Sequence, residues 1–216
     1  MAAALLPSGV LFAASGTLRA RTRGIEAGWT TEGGRFRYTS LRDRIGQRDV
    51  PLPREVFSVT IGEGKPIGAS AFTIENATAT SVTLLHREAG VRAVWTPIAH
   101  SDALYLRQEI ELQAIGADVD LREVRLFDFA MLPDALVSGR CDGSPIVARN
   151  LYLAVEHPLS QSDAIYDRAS AYLPRKVPLR AQAPLRVSSV FGTTRSGQLR
   201  RDFATYIERE RARRYA

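Results

Sequence analysis

Glu156 and His157 stand side by side at the end of an apolar run, with Pro158 behind them. A carboxylate next to an imidazole at a strand end could hydrogen-bond sugar hydroxyls or move protons. The same pair also suits a plain strand terminus, where polar residues meet solvent before a proline turn. Neighbouring side chains of a regular strand point to opposite faces, so the two cannot both converge on one pocket. Trp95 and Trp29 carry flat rings of the kind that stack on a sugar. Each lies among apolar neighbours, Val91 and Ala93 or Ile25 and Ala27, and suits core packing as well. Glu156, His157 and Trp95 are the candidate carbohydrate contacts.

Other chemistry-bearing residues are sparse. His86, His100 and His157 lie far apart, and no phosphate-cradling glycine loop, nucleophile elbow or metal-spaced His/Cys cluster occurs. The single cysteine, Cys141, excludes an intramolecular disulfide and a multi-cysteine zinc site, and no base nearby would make it a nucleophile. No metal and no cofactor follows from these residues, and none of them is nominated as catalytic. Asn76-Ala77-Thr78 fits the N-glycosylation pattern, and Asp142-Gly143 reads as a turn.

The elements that must carry these residues are strands. Residues 25–31 and 35–41 flank Glu32-Gly33-Gly34, and residues 82–86 and 91–96 flank Glu88-Ala89-Gly90, both hairpin patterns. Residues 56–61, rich in β-branched and aromatic side chains, follow the break at Pro51-Leu52-Pro53. Residues 104–112 alternate most cleanly. Leu104, Leu106, Ile110 and Leu112 share one face, and Tyr105, Arg107, Glu109 and Glu111 take the other, which the pattern assigns to water. Further strands are predicted at 121–129, 146–148, 151–155, 169–173 and 185–191. Many strands joined by short turns, with no alternating helices, predict a large antiparallel β-sandwich and exclude a parallel α/β sheet.

One helix is predicted, at the C-terminal end. Leu199, Phe203, Tyr206 and Ile207 form an apolar stripe at helical spacing, Ser196 is placed to cap its start, and Glu210 and Arg214 stand at i and i+4. Arginines crowd the last turns, where the helix dipole favours them. From Arg195 onward seven arginines face three acids, a net of +4 out of the chain's +6, which leaves +2 for the preceding 194 residues. The body is nearly neutral and lacks aromatic–basic interleaving, so the basic balance does not signal nucleic-acid binding. With 45% hydrophobic and 24% charged residues among 216, the chain can bury a sizeable core. The apolar start is far short of the ~20 residues that span a bilayer and has no basic stretch before it; it reads as a weak or truncated export signal or as a first strand.

Several stretches together carry a resemblance. They are Gly34-Arg35-Phe36-Arg37, Leu41-Arg42-Asp43-Arg44, Leu52-Pro53-Arg54-Glu55-Val56-Phe57, Tyr105-Leu106-Arg107-Gln108-Glu109-Ile110 and Asn150-Leu151-Tyr152-Leu153-Ala154-Val155-Glu156-His157-Pro158-Leu159. Leu173-Pro174-Arg175, Gly197-Gln198-Leu199-Arg200-Arg201 and Tyr206-Ile207-Glu208-Arg209-Glu210-Arg211-Ala212 complete the series. In this order the chain resembles the N-terminal β-sandwich of bacterial glycoside hydrolases related to α-galactosidases and endo-α-N-acetylgalactosaminidases. The resemblance implies the galactose-mutarotase-like supersandwich fold, a catalytic (β/α)8 barrel C-terminal to it, and a secreted or periplasmic location. It carries no catalytic residue onto this sequence, because in those enzymes the catalytic carboxylates lie in the barrel. The implied organisation is an apolar segment at 1–16, a sandwich at 17–194 and a linker helix at 195–216. Two further functions stay open: a free-standing carbohydrate-binding module, and an aldose mutarotase-like enzyme, which would need an imidazole and a carboxylate converging on one pocket.

Overall fold

A computed structural model describes residues 10–13 and 16–211. Strands β1 (Val10–Ala13), β2 (Thr17–Arg21), β3 (Ile25–Thr30), β4 (Arg37–Asp43) and β5 (Arg48–Asp49) form one sheet in chain order. The chain continues through β6 (Ser58–Ile61), β7 (Ile67–Gly68), β8 (Thr73–Ala77), β9 (Val82–His86), β10 (Val91–Ala99) and β11 (Tyr105–Ala114). There follow β12 (Leu121–Phe129), β13 (Ala135–Val137), β14 (Ile146–Ala148), β15 (Leu151–Val155), β16 (Gln161–Ile165), β17 (Arg168–Pro174) and β18 (Leu185–Thr193). Helix α1 (Leu199–Arg211) comes last.

The second sheet has the order β13-β14-β15-β18-β11-β10-β9-β8, and the third β16-β17-β12-β6-β7. All strand pairings are antiparallel. The molecule is thus an all-β sandwich with one C-terminal α-helix among the described residues. One apolar core is shared by the three sheets, with Trp29, Phe57, Trp95, Ile110, Phe127 and Phe129 among its largest side chains. The predicted strands at 82–86, 121–129, 146–148 and 151–155 form with those bounds. Both glycine turns form as well: Gly33, Gly34 and Gly90 take φ of 64°, 70° and 63°, the left-handed region that other residues disfavour. Within 1–16 the strand Val10–Ala13 is described, while residues 1–9 and 14–15, and with them the export-signal reading, lie outside the described residues.

The structure differs from the sequence pattern at two places that matter for function. The face of β11 assigned to water is covered at its N-terminal half, so that Tyr105 is only 4% and Arg107 only 8% exposed. The cover is α1, which crosses this outer face of the eight-stranded sheet. The start of α1 also differs. Ser196 does not cap it; the helix begins at Leu199, after Gly197 turns the chain at φ 70°. Asp202 in the first turn reaches back instead, and its carboxylate accepts the Arg195 backbone N–H at 2.9 Å and the Arg195 guanidinium.

Candidate functional site

The seat of α1 is built from three neighbouring strands. Register across β11, β18 and β15 sets Tyr105, Gly192 and Tyr152 in one row and Arg107, Val190 and Ala154 in the next. These residues alternate with the core-facing ones, so they share the outer face. Gly192 is required between the two tyrosines. A Cβ there would lie 2.2 Å from Tyr152 Cζ and 2.5 Å from its hydroxyl, so only glycine lets that ring lie across the sheet. Onto this platform α1 sets Phe203, whose ring centroid is 5.0 Å from that of Tyr152, and Tyr206, 4.8 Å from Tyr105. The helical stripe therefore docks on the sandwich, with Leu199 and Phe203 partly buried and Tyr206 3% exposed, while Ile207 stays 41% exposed.

A charged network closes one end of this seat. Arg107 Nε donates to both oxygens of Glu156 at 2.9 and 3.0 Å, and its Nη2 reaches Oε2 at 2.6 Å. Its Nη1 donates to Glu210 Oε2 at 2.8 Å, and the other oxygen of Glu210 accepts the Tyr105 hydroxyl at 2.6 Å. The Tyr206 hydroxyl donates to Glu156 Oε1. The Arg107, Glu156 and Glu210 side chains are each about a tenth exposed. Sheet and helix thus share one cation between two carboxylates, with a tyrosine on each carboxylate. The expected Glu210–Arg214 pairing lies outside the described residues, which end before Arg214; Glu210 itself turns to the sheet. Arg209 adds an exposed fork to Asp102, with both contacts at 3.0 Å, which contributes little beside the buried network.

Burial pushes the Glu156 carboxyl up, but the hydrogen bonds and charge of Arg107, with the Tyr206 and Ser188 hydroxyls, outweigh it and leave the carboxyl below its usual range. A depressed folded pKa stabilises the fold fully above the unfolded value of about 4.3, and this contribution is lost as pH falls through the folded value. Acid titration should therefore loosen α1 below about pH 4. A change in tyrosine fluorescence on acidification that is absent in Glu156→Gln checks this, because the variant has no carboxyl to titrate there.

The candidate residues separate. Glu156 faces α1, whereas His157, at the strand end, accepts the Leu159 backbone N–H on Nδ1 at 3.2 Å. Burial, then the charge of Arg175, holds the His157 imidazole below its ordinary value. The structure does not bring Glu156 and His157 onto one pocket: both follow β15, where the chain bends and the His157 N–H returns to the Val155 carbonyl at 2.9 Å. Trp95 is fully buried, with Trp29 at 4.8 Å and Phe36 at 4.9 Å between ring centroids. Its Nε1–H donates to Gln108 Oε1 at 3.0 Å. The ring is covered on its faces and, as it stands, offers none to a sugar. Cys141 is a free, exposed thiol, 3.6 Å from the Ser144 hydroxyl. Among the described residues no group of three or more His, Cys, Asp or Glu is placed to hold a metal ion, and no helix is long and apolar enough to cross a membrane.

Sequence reasoning missed Tyr105, Arg107 and Glu210 as members of one site. The available signal was the coincidence of an aromatic–basic pair on the polar face of β11 with the helical stripe. Beside α1 the structure also opens a largely apolar groove of about 660 Å³, lined by Pro145, Val147, Leu199, Phe203 and Ile207 together with Ser138, Arg200 and Glu208.

No protein-family model matches the chain, and no curated protein matches it in sequence. Solved structures share its fold. An α-galactosidase of family GH36, AgaB from Geobacillus stearothermophilus, matches 87% of this chain with a TM-score of 0.51 at 11% identity. The galactosidase domain of the α-galactosidase–sucrose kinase AgaSK matches 87% with a TM-score of 0.52 at 6% identity. A polysaccharide lyase matches 81% with a TM-score of 0.50 at 9% identity. The chain spans 41%, 42% and 33% of these three proteins. The sandwich is thus one found in glycoside hydrolases, and the same fold in a lyase means that it does not by itself fix a reaction.

Proposed function

We propose that the chain is the non-catalytic N-terminal β-sandwich of a glycoside hydrolase acting on α-galactosyl or N-acetylgalactosaminyl carbohydrates, and that it supports a (β/α)8 barrel C-terminal to it. The observation that carries the reading is the fold shared with two α-galactosidases of which the chain spans only about two-fifths. The clasped helix agrees with it. The buried network around Arg107 fixes the direction in which α1 leaves the sandwich, and the apolar groove with Ile207 gives the barrel a surface to cover. Glycoside hydrolysis needs two carboxyl groups facing each other across the scissile bond. Glu156 and Glu210, which share Arg107, are engaged by that cation and by tyrosine hydroxyls beneath α1, so they are not such a pair.

The test is to express the 216-residue chain alone and, in parallel, with its reading frame continued past Ala216. Both are assayed on p-nitrophenyl α-galactoside and α-N-acetylgalactosaminide. The expected result is hydrolysis by the extended protein only. Hydrolysis by the short chain, or a frame that ends at Ala216 with no neighbouring barrel gene, overturns the reading.

A further inference from the structure

The outer face of the third sheet holds a hollow that the clasp around α1 does not use. Register places Asp128, Ser170 and Asp163 directly across β12, β17 and β16, with Arg125, Tyr172 and Gln161 in the next row on one side and Ile165 opposite Arg168 on the other. A serine between two carboxylates, with long side chains in the flanking rows, leaves a depression of about 310 Å³. A bulge makes this arrangement possible. The register of β12 shifts between Arg125 and Phe127, so Leu126 and Phe127 are both buried, and Arg125 and Asp128, three residues apart, both face outward.

The lining is held in place by its own neighbours. The Arg125 guanidinium stacks 4.8 Å above the Tyr172 ring and lies 2.9 Å from Glu123, and Asp128 lies 3.7 Å from Arg54. The Tyr172 hydroxyl donates to Gln161 Oε1 at 3.1 Å. At the rim, Tyr166 is 97% exposed and has φ 49°, and Asp167 behind it has φ 63°. These are the two central positions of a tight hairpin turn, where glycine or asparagine is the relaxed choice. Asp167 is tied to a neighbouring loop through the Asp134 N–H, 3.2 Å from its carboxylate. An aromatic ring in a disfavoured backbone conformation, contributing almost no burial, points to work done outside the fold.

We infer that this hollow binds a single neutral sugar ring, with Asp128 and Asp163 accepting its hydroxyls, Arg125 and Arg168 donating to them, and Tyr166 stacking on its apolar face. Two acids against two arginines give the lining no net charge, which selects neither a cation nor an anion. A polyhydroxylated ring supplies donors for the carboxylates and acceptors for the guanidinium groups. Its C–H face supplies the surface for an aromatic. The hollow is open, with Asp163, Ile165, Tyr166 and Arg168 exposed along it, and its size suits one ring lying on the sheet and not an extended chain. The ligand class is read from the lining alone and stands apart from the glycoside hydrolase reading above.

The full 216-residue chain would be titrated with galactose, N-acetylgalactosamine, glucose and raffinose, followed by calorimetry and by ligand-observed NMR. Calcium chloride and sodium phosphate serve as ion probes. The expected result is saturable binding of at least one sugar, weakened about tenfold by Asp163→Asn and by Tyr166→Gly, with thermal midpoints unchanged. Glycine adopts the φ of position 166 without strain, so that variant keeps the fold. No saturable sugar binding, binding that neither variant weakens, calcium binding abolished by Asp163→Asn, or phosphate binding abolished by Arg168→Gln would each overturn the inference.

Discussion

Replacing Arg107 with leucine should lower the stability of the sandwich by about 3–5 kcal/mol, because it leaves two carboxylates at the helix seat without their shared cation. For a protein of this size each kcal/mol moves the thermal midpoint by about 2–4 °C, so a fall of roughly 6–20 °C is expected by scanning calorimetry. The pH dependence should also reverse in sign. In the native protein the Glu156 carboxyl is held low, so its contribution disappears as pH falls. Without Arg107, burial, the largest influence on Glu156, is opposed only by the Tyr206 and Ser188 hydroxyls; the carboxyl then rises above its unfolded value, and the folded state binds the extra proton. Stability of the variant should therefore increase on acidification from pH 7 to about 5, where the native protein is level. A merely steric role for Arg107 would lower the midpoint without reversing the slope. Replacing Arg107, Glu156 and Glu210 by apolar residues and Tyr105 and Tyr206 by phenylalanine should recover most of the loss, since a well-packed apolar set avoids desolvating three charges and leaves no hydroxyl without its acceptor.

Trp95→Ala should cost about 3–5 kcal/mol by urea denaturation, the scale of a large aromatic removed from a packed core. Two aromatic neighbours within 5 Å, Trp29 and Phe36, lose their partner, and Gln108 loses the indole N–H that its Oε1 accepts. Trp95→Phe should keep most of the packing and cost about 1 kcal/mol for the lost hydrogen bond, since Gln108 Oε1 still accepts the Tyr38 hydroxyl at 3.3 Å. If Trp95→Ala kept its stability yet lost sugar affinity, the assignment of this ring to the core would be wrong. Tyr166 is the opposite case: Trp95 has no exposed surface, and Tyr166 has almost nothing else.

The strands that the sequence reveals are those whose apolar residues alternate or run continuously between turn residues. Leu151–Val155, all buried, and Val91–Ala99, buried at every second position, are of this kind. Gln161–Ile165 escapes because four of its five residues are polar or small, as an edge strand allows, and Thr73–Ala77 escapes for the same reason. The hollow around Ser170 was hidden with it, since one of its walls is that edge strand. Alternation put Arg107 on the correct face of β11. It could not reveal what covers that face, because the cover comes from residues about a hundred positions away. Glu156 was recognisable as a polar residue ending a buried strand, but its partners are set by the order of strands in the sheet, which local pattern does not encode.

That order has a consequence for how the chain is made. β18 lies between β15 and β11 near the middle of the eight-stranded sheet, paired to β11 residues roughly 80 positions earlier. During synthesis, two half-sheets must wait with unpaired edges and apolar inner faces until residues 185–193 arrive. Such edges are templates for wrong pairing between chains, and contacts so distant in sequence form slowly. The strand that joins the halves is followed within six residues by α1, so the Tyr105–Tyr152 platform is covered in nearly the same step. Assembly of the larger sheet is therefore late and cooperative: nascent chains that stop short of β18 should need a chaperone, and those that include it should not.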